Sequence, residues 1–207
     1  MNKYTLILAH GFGFDHGYWK NLIHQLDHRN IKYLFFSHDL ALDSQEKYVG
    51  LGHSLGFATL SNSRINFHAM LGLQCFCNFL GQDEKLRRIR KPQLDEMVRA
   101  LQHNPKTCLE QFYNSCGYQA KSNNSPELEK LSAELQMLYE KFTPRPIPTL
   151  IIGSTKDKIV PKSLIEDNFK NHANVTIKYL NCAGHGLGHE KSDEIIELLT
   201  SFIHDQK

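Results

Sequence analysis

No stretch of the 207 residues approaches the roughly 20 consecutive apolar positions that a bilayer-spanning helix requires, so the chain is expected to be soluble, with no membrane partner. The opening Met1-Asn2-Lys3 leads into an apolar stretch of strand length, not into the apolar region of a secretory signal. Cysteine is scarce and odd in number. Cys75, Cys77, Cys108, Cys116 and Cys182 form neither a zinc spacing nor a regular disulfide framework, which predicts free thiols in a reducing, cytoplasmic compartment. Charge of one sign is also lacking: the net value of +2 is too small to indicate nucleic-acid binding by the chain as a whole, and no nucleic-acid partner is expected. Repeats and low-complexity tracts are absent as well. What remains is ordinary globular material, 41% hydrophobic, enough for one substantial core and too little for two independent domains.

Residues 4–9 form an apolar run of strand length that ends in His10-Gly11, as a central parallel strand would. Trp19, Leu22, Ile23 and Leu26 then fall at i, i+3, i+4 and i+7 on one face, which predicts a helix. Further strands are predicted over 31–36, 48–52, 64–71, 149–153 and 175–180, with a closing helix from Ser192 to about His204. Strands alternating with helical segments imply an α/β fold with a mostly parallel sheet of about six strands, whose ligands sit at the carboxyl ends of the strands. Residues 75–147 have a different texture, with at least three helical segments and no convincing strand. Asn104-Pro105 and Ser125-Pro126 each place a capping residue before a proline suited to the first helical position. The expected organisation is a core of residues 1–74 and 148–207, with residues 75–147 inserted as a helical cap.

Gly52-His53-Ser54-Leu55-Gly56 matches the Gly-x-Ser-x-Gly turn between a strand and a helix, which holds a serine in a strained backbone and needs small flanking residues. The pentapeptide alone also suits an ordinary glycine turn, so its partners must decide. Asp157 follows the fifth strand and His185 the sixth, which gives the chain order Ser, Asp, His expected around such a turn. Asp83 and Asp95 lie in the insertion and Asp167 in a helical stretch, which leaves Asp157 as the preferred acid. A serine hydroxyl is a weak nucleophile until a base takes its proton. His185 is the expected base, and Asp157 is expected to orient it and to stabilise the imidazolium. His10-Gly11-Phe12-Gly13 follows the first strand, and the backbone N–H groups of Phe12 and Leu55 are the expected donors to an oxyanion. No metal or organic cofactor is expected. His185 and His189 are four apart, but Gly184, Gly186 and Gly188 argue against the regular helix that a metal pair would need, and His53 is read as a packing residue.

These motifs resemble the α/β-hydrolase superfamily, here in reduced form, and more narrowly the pimeloyl-carrier-protein methyl ester esterases of biotin synthesis. The resemblance rests on His-Gly-Phe-Gly with Trp19 downstream, Gly-His-Ser-Leu-Gly, Lys-Asp-Lys-Ile-Val-Pro and Ala-Gly-His-Gly-Leu-Gly-His, with weaker similarity from Lys91-Pro92 to Gly117. It implies hydrolysis of a methyl ester on an acyl carrier protein through an acyl-serine intermediate. Between Lys85 and Lys91 there are five cations in seven positions. By the same resemblance, Arg87, Arg88, Arg90 and Arg99 would dock the acidic carrier, although a solvated helix face would carry the same run. Two departures stand out. About eleven residues separate the second and third predicted strands, where the family has room for a helix, and Phe57 replaces a small residue after the elbow. General small-ester hydrolysis, carbon–carbon hydrolysis or lysis, and non-catalytic binding are the alternatives.

Overall fold

A computed structural model describes residues 4–117, 127–181 and 184–205. Six parallel strands form one sheet in the order β2-β1-β3-β4-β5-β6. They are β1 (Thr5–Ala9), β2 (Tyr33–Phe35), β3 (Tyr48–His53), β4 (Phe67–Leu73), β5 (Thr149–Ser154) and β6 (Val175–Leu180). The helices are α1 (Lys20–His28), α2 (Leu55–Asn62), α3 (Glu84–His103), α4 (Pro105–Cys116), α5 (Leu128–Met137), α6 (Lys162–Phe169), α7 (Leu187–Glu190) and α8 (Ser192–His204).

Alternation along the strands assigns side chains to two cores, because successive residues of a strand face opposite sides of a sheet. Leu6 and Leu8 of β1, Ala69 and Leu71 of β4, and Leu150 and Ile152 of β5 pack with Trp19, Leu22, Leu26, Ile195, Ile196 and Leu199. Ile7, Met70 and Ile151 point the other way, toward Phe57, Leu60, Leu164 and Ile165. That second core continues into the inserted helices through Leu94, Leu101, Leu109, Leu131 and Leu135. The insertion therefore shares the hydrophobic core of the sheet.

The predicted sixth strand and closing helix match β6 and α8 in both bounds. Two strands are shorter than their composition suggests. The second is confined to Tyr33–Phe35, and the fourth starts at Phe67 instead of Arg64. The cause of the late start lies outside the strand. Arg145 inserts its guanidinium among the carbonyls of Leu60, Ser61, Ser63 and Ile65, so the chain curls around a cation where its sequence would allow it to extend. Residues 36–47 contain no helix. They cross from β2 to β3 over β1, and twelve residues reach roughly 40 Å when extended, enough for one strand length and two strand spacings.

Asn104 caps α4 by accepting from the Thr107 N–H at 3.1 Å, with Pro105 at the first position, as its sequence predicts. Ser125-Pro126 and Cys182 lie outside the described residues. Cys75, Cys77, Cys108 and Cys116 are free and buried. No helix among the described residues is long and apolar enough to cross a membrane.

Candidate active site

β2 lies on one side of β1 and β3 to β6 on the other, so the strand order reverses between β1 and β3, where sheets of this kind bind ligands at the carboxyl ends of the strands. The His-Gly-Phe-Gly turn leaves β1 there, and Ser54 leaves β3. Ser54 has φ 53° and ψ −122°, a backbone conformation that costs on the order of 1–3 kcal/mol in a residue other than glycine. The flanking glycines allow it. A Cβ on Gly52 would lie 2.4 Å from Phe57 Cα, and one on Gly56 would lie 2.2 Å from the Ala9 carbonyl oxygen. The two turns touch, since a Cβ on Gly11 would lie 2.8 Å from Ser54 Cβ. Leu55 opens α2, so its N–H is among those that a helix leaves without an internal acceptor.

Asp157 and His185 meet in the interior. His185 Nδ1 donates to Asp157 Oδ2 at 2.7 Å, and neither side chain is exposed. A carboxylate only accepts, so this bond places a proton on Nδ1 and leaves Nε2 as the candidate base. Asp157 is fully engaged. Its Oδ1 accepts from the N–H groups of Ile159 at 2.8 Å and Val160 at 3.0 Å, and Oδ2 accepts also from Gln74 Nε2 at 2.8 Å. His185 Nε2 is buried with no hydrogen-bond partner among the described residues, so the contact to Ser54 Oγ is not closed. Catalytic hydrogen bonds are often long in free enzymes and tighten when substrate binds.

The other acids hold local structure. Asp83 caps α3 through the Lys85 N–H, Asp95 accepts from Tyr139 and Lys91, and Asp167 accepts from the N–H groups of Gln82 and Asp83. His53 is completely buried and stacks on Tyr18 with ring centroids 4.1 Å apart. Its Nε2 donates to the His185 carbonyl at 3.1 Å. Burial, reinforced by the neighbouring His185, pushes its pKa well below the usual imidazole range, so it is held neutral. His53 thus packs as expected and also supports the backbone of His185.

One expectation is corrected. Arg90 is not available to a partner: it is buried, donates from Nε to the Phe79 carbonyl at 2.6 Å and from an Nη to the Ile159 carbonyl at 2.9 Å, and lies over the Phe79 ring. Burial lowers its pKa to about 10, against the favourable charge of Asp157. Phe57 packs edge-on against Phe169 at 5.8 Å and fills the core under α2. Leu187–Glu190 forms a single helical turn that begins after His185, so His185 and His189 do not share a helix, as expected; the Asn21 amide donates to the His189 carbonyl at 2.8 Å. Arg87, Arg88 and Arg99 are exposed, but Arg88 pairs with Glu84 and Arg99 with Glu96.

Several site residues had no motif to announce them. Gln74 lies at the end of β4, where it is bonded to both the acid and the histidine loop. Tyr113 of α4 donates to the Gly13 carbonyl, and Glu134 of α5 accepts from the Gly13 N–H at 3.1 Å. The Cys116 carbonyl accepts from the His185 N–H at 2.7 Å. Attention to the first residue beyond each strand would have found Gln74. The contacts from α4 and α5 depend on tertiary packing and have no local signature.

No protein-family model matches the chain, and no curated protein matches it in sequence. Solved structures do match in fold. A hydrolase from Oleispira antarctica aligns over 99% of this chain and 92% of its own, with a TM-score of 0.67 at 16% identity. An esterase from Exiguobacterium antarcticum aligns over 97% and 92%, with a TM-score of 0.71 at 16% identity. MenH from S. aureus aligns over 100% and 95%, with a TM-score of 0.66 at 14% identity. With its mostly parallel six-stranded sheet and flanking helices, the chain has the α/β-hydrolase fold.

Proposed function

We propose that this protein is a serine hydrolase that cleaves a carboxylic ester through an acyl-Ser54 intermediate. The observation that carries this reading is the buried 2.7 Å Asp157–His185 bond, taken with Ser54 held at positive φ directly after β3. Ser54 Oγ attacks the ester carbonyl carbon as His185 Nε2 takes its proton, and the N–H groups of Phe12 and Leu55 receive the developing oxyanion. The imidazolium, stabilised by Asp157, protonates the departing alcohol. Water, deprotonated by the same nitrogen, then attacks the acyl-serine and releases the acid and Ser54. Residues 75–147 act as the cap over this site. Turnover of p-nitrophenyl acetate and butyrate by the purified chain is expected, with loss of that activity in Ser54→Ala. Equal activity in the variant would end the proposal.

For the physiological substrate we propose a methyl ester of a pimeloyl chain on an acyl carrier protein, in biotin synthesis and in the cytoplasm. The motif resemblance supports it, as does the surplus on α3 of six basic over three acidic residues. With Arg90 buried, docking would fall to Arg87, Arg88 and Arg99. Reversing Arg87 and Arg88 to Glu should then raise KM for a carrier-bound methyl ester at least 10-fold and leave the salt dependence on free esters unchanged. An unchanged KM for the carrier-bound ester would leave general esterase activity as the reading.

A further inference from the structure

The acid and the histidine reach each other from loops that follow two different strands, β5 and β6, and a third chain segment stands between them. Gln74 follows β4, the neighbour of β5, and is completely buried. Its Nε2 donates to Asp157 Oδ2 at 2.8 Å and to the Gly184 carbonyl at 2.6 Å, while its Oε1 accepts from the Leu187 N–H at 2.8 Å. Two acceptors face one end of the amide and a donor faces the other, so the chemistry fixes which end is nitrogen. Residues 184 and 187 flank His185, so one side chain grips both sides of the histidine loop and the carboxylate that loop must meet. Gln74 itself sits at φ 46°, a conformation that favours glycine or asparagine over glutamine. The reach of its side chain explains a glutamine at such a backbone angle.

We propose that Gln74 is the positioning residue of this site: its amide holds Asp157 Oδ2 in register with His185 Nδ1 and fixes the loop that carries the imidazole. This rests on the reading of His185 as the base. The positive end of the amide dipole points at the same carboxylate oxygen that His185 uses. Removing the amide frees Asp157 Oδ2 and the His185 loop to shift apart, so kcat should fall and the Nδ1–H bond to Oδ2 should weaken.

The test uses Gln74→Asn and Gln74→Leu, each compared with the wild type by circular dichroism and thermal unfolding. Asparagine suits the positive φ better than glutamine but is one methylene too short to reach Asp157, so a purely conformational role predicts a fully active Gln74→Asn. The positioning role predicts a kcat on p-nitrophenyl acetate lower by on the order of 100-fold in both variants, with KM changed less than about 3-fold. It also predicts loss of the far-downfield His185 Nδ1–H resonance, read by proton NMR of the protein labelled with nitrogen-15 histidine. If Gln74→Leu does not fold, Gln74→Asn carries the comparison. Folded Gln74→Asn with wild-type kcat and an unchanged His185 Nδ1–H resonance would overturn the inference. If the wild type hydrolyses no ester, the hydrolase reading fails separately, and the His185 Nδ1–H resonance in the two variants still decides the role of Gln74.

Discussion

Adding one methyl group at Gly56 tests how closely the two halves of the proposed site depend on each other. The Cβ of Gly56→Ala would lie 2.2 Å from the Ala9 carbonyl oxygen and 2.5 Å from that of His10, both backbone atoms at the end of β1. A tolerable contact is about 3 Å, so α2 must withdraw from β1 by roughly 0.8 Å, or the β1 turn must yield by as much, in an interior that is close-packed. Either movement separates the N–H of Leu55 from the N–H of Phe12, the two groups that must converge on one oxygen. A displacement near 1 Å costs on the order of 100-fold in rate, and overpacking costs about 1–3 kcal/mol of stability. The assay is kcat and KM for p-nitrophenyl acetate together with the thermal midpoint. The expected outcome is a kcat lowered by roughly 100-fold, with a smaller change in KM and a midpoint lowered by several degrees. A folded Gly56→Ala with wild-type kcat would refute the claim that the β1 turn and the start of α2 form a single oxyanion-binding unit.

Other outcomes depend on groups around the site. Because the pKa of His53 is depressed in the folded state, its contribution to stability is present above the unfolded imidazole value of about 6.5 and is lost as pH falls from there toward the folded value. Denaturation midpoints should therefore decline below pH 6.5, while NMR shows His53 neutral at pH 5.5; a His53 midpoint at or above 6.5 would contradict its burial. Burial raises the pKa of Glu134, opposed by the Gly13 N–H, so its favourable contribution lies below the unfolded carboxyl value and is lost as pH rises through the folded one. Glu134→Gln should thus unfold at a higher temperature than the wild type at pH 7.5, with the gap closing near pH 4; a less stable variant at pH 7.5 would show that the bond to Gly13 outweighs desolvation. Arg90→Met strands the carbonyls of Phe79 and Ile159 and should cost roughly 3 kcal/mol in urea denaturation, whereas Arg87→Ala should stay within about 0.5 kcal/mol. Equal effects would contradict the distinction between an interior and a surface arginine.

Period and punctuation made most of the fold legible. The alternation that separates Leu6 and Leu8 from Ile7 is visible in the sequence, and so are the apolar face of α8 and the Asn104-Pro105 start of α4. The strand ends were less so, because Arg145 bends residues 60–65 from a distance of some eighty positions. At the candidate site, Ser54, Asp157 and His185 stand out in the sequence because each follows a strand and carries a reactive group. Gln74 also follows a strand, but an amide signals no chemistry by itself. Arg90 was misplaced because a run of cations reads as a solvated face, and only the packed helix shows which member turns inward onto Phe79. Tyr113, Glu134 and the Cys116 carbonyl had no local signal, since their partners lie from 69 to 121 positions away.

The central claim is that Ser54 is a nucleophile activated by His185. Its most direct test is incubation of the folded protein with a fluorophosphonate, followed by peptide mapping by mass spectrometry. The account predicts a single covalent adduct on the peptide containing Ser54, formed at a much lower rate in His185→Ala and not at all in Ser54→Ala. An unlabelled wild type, or an adduct on any other residue, would contradict it.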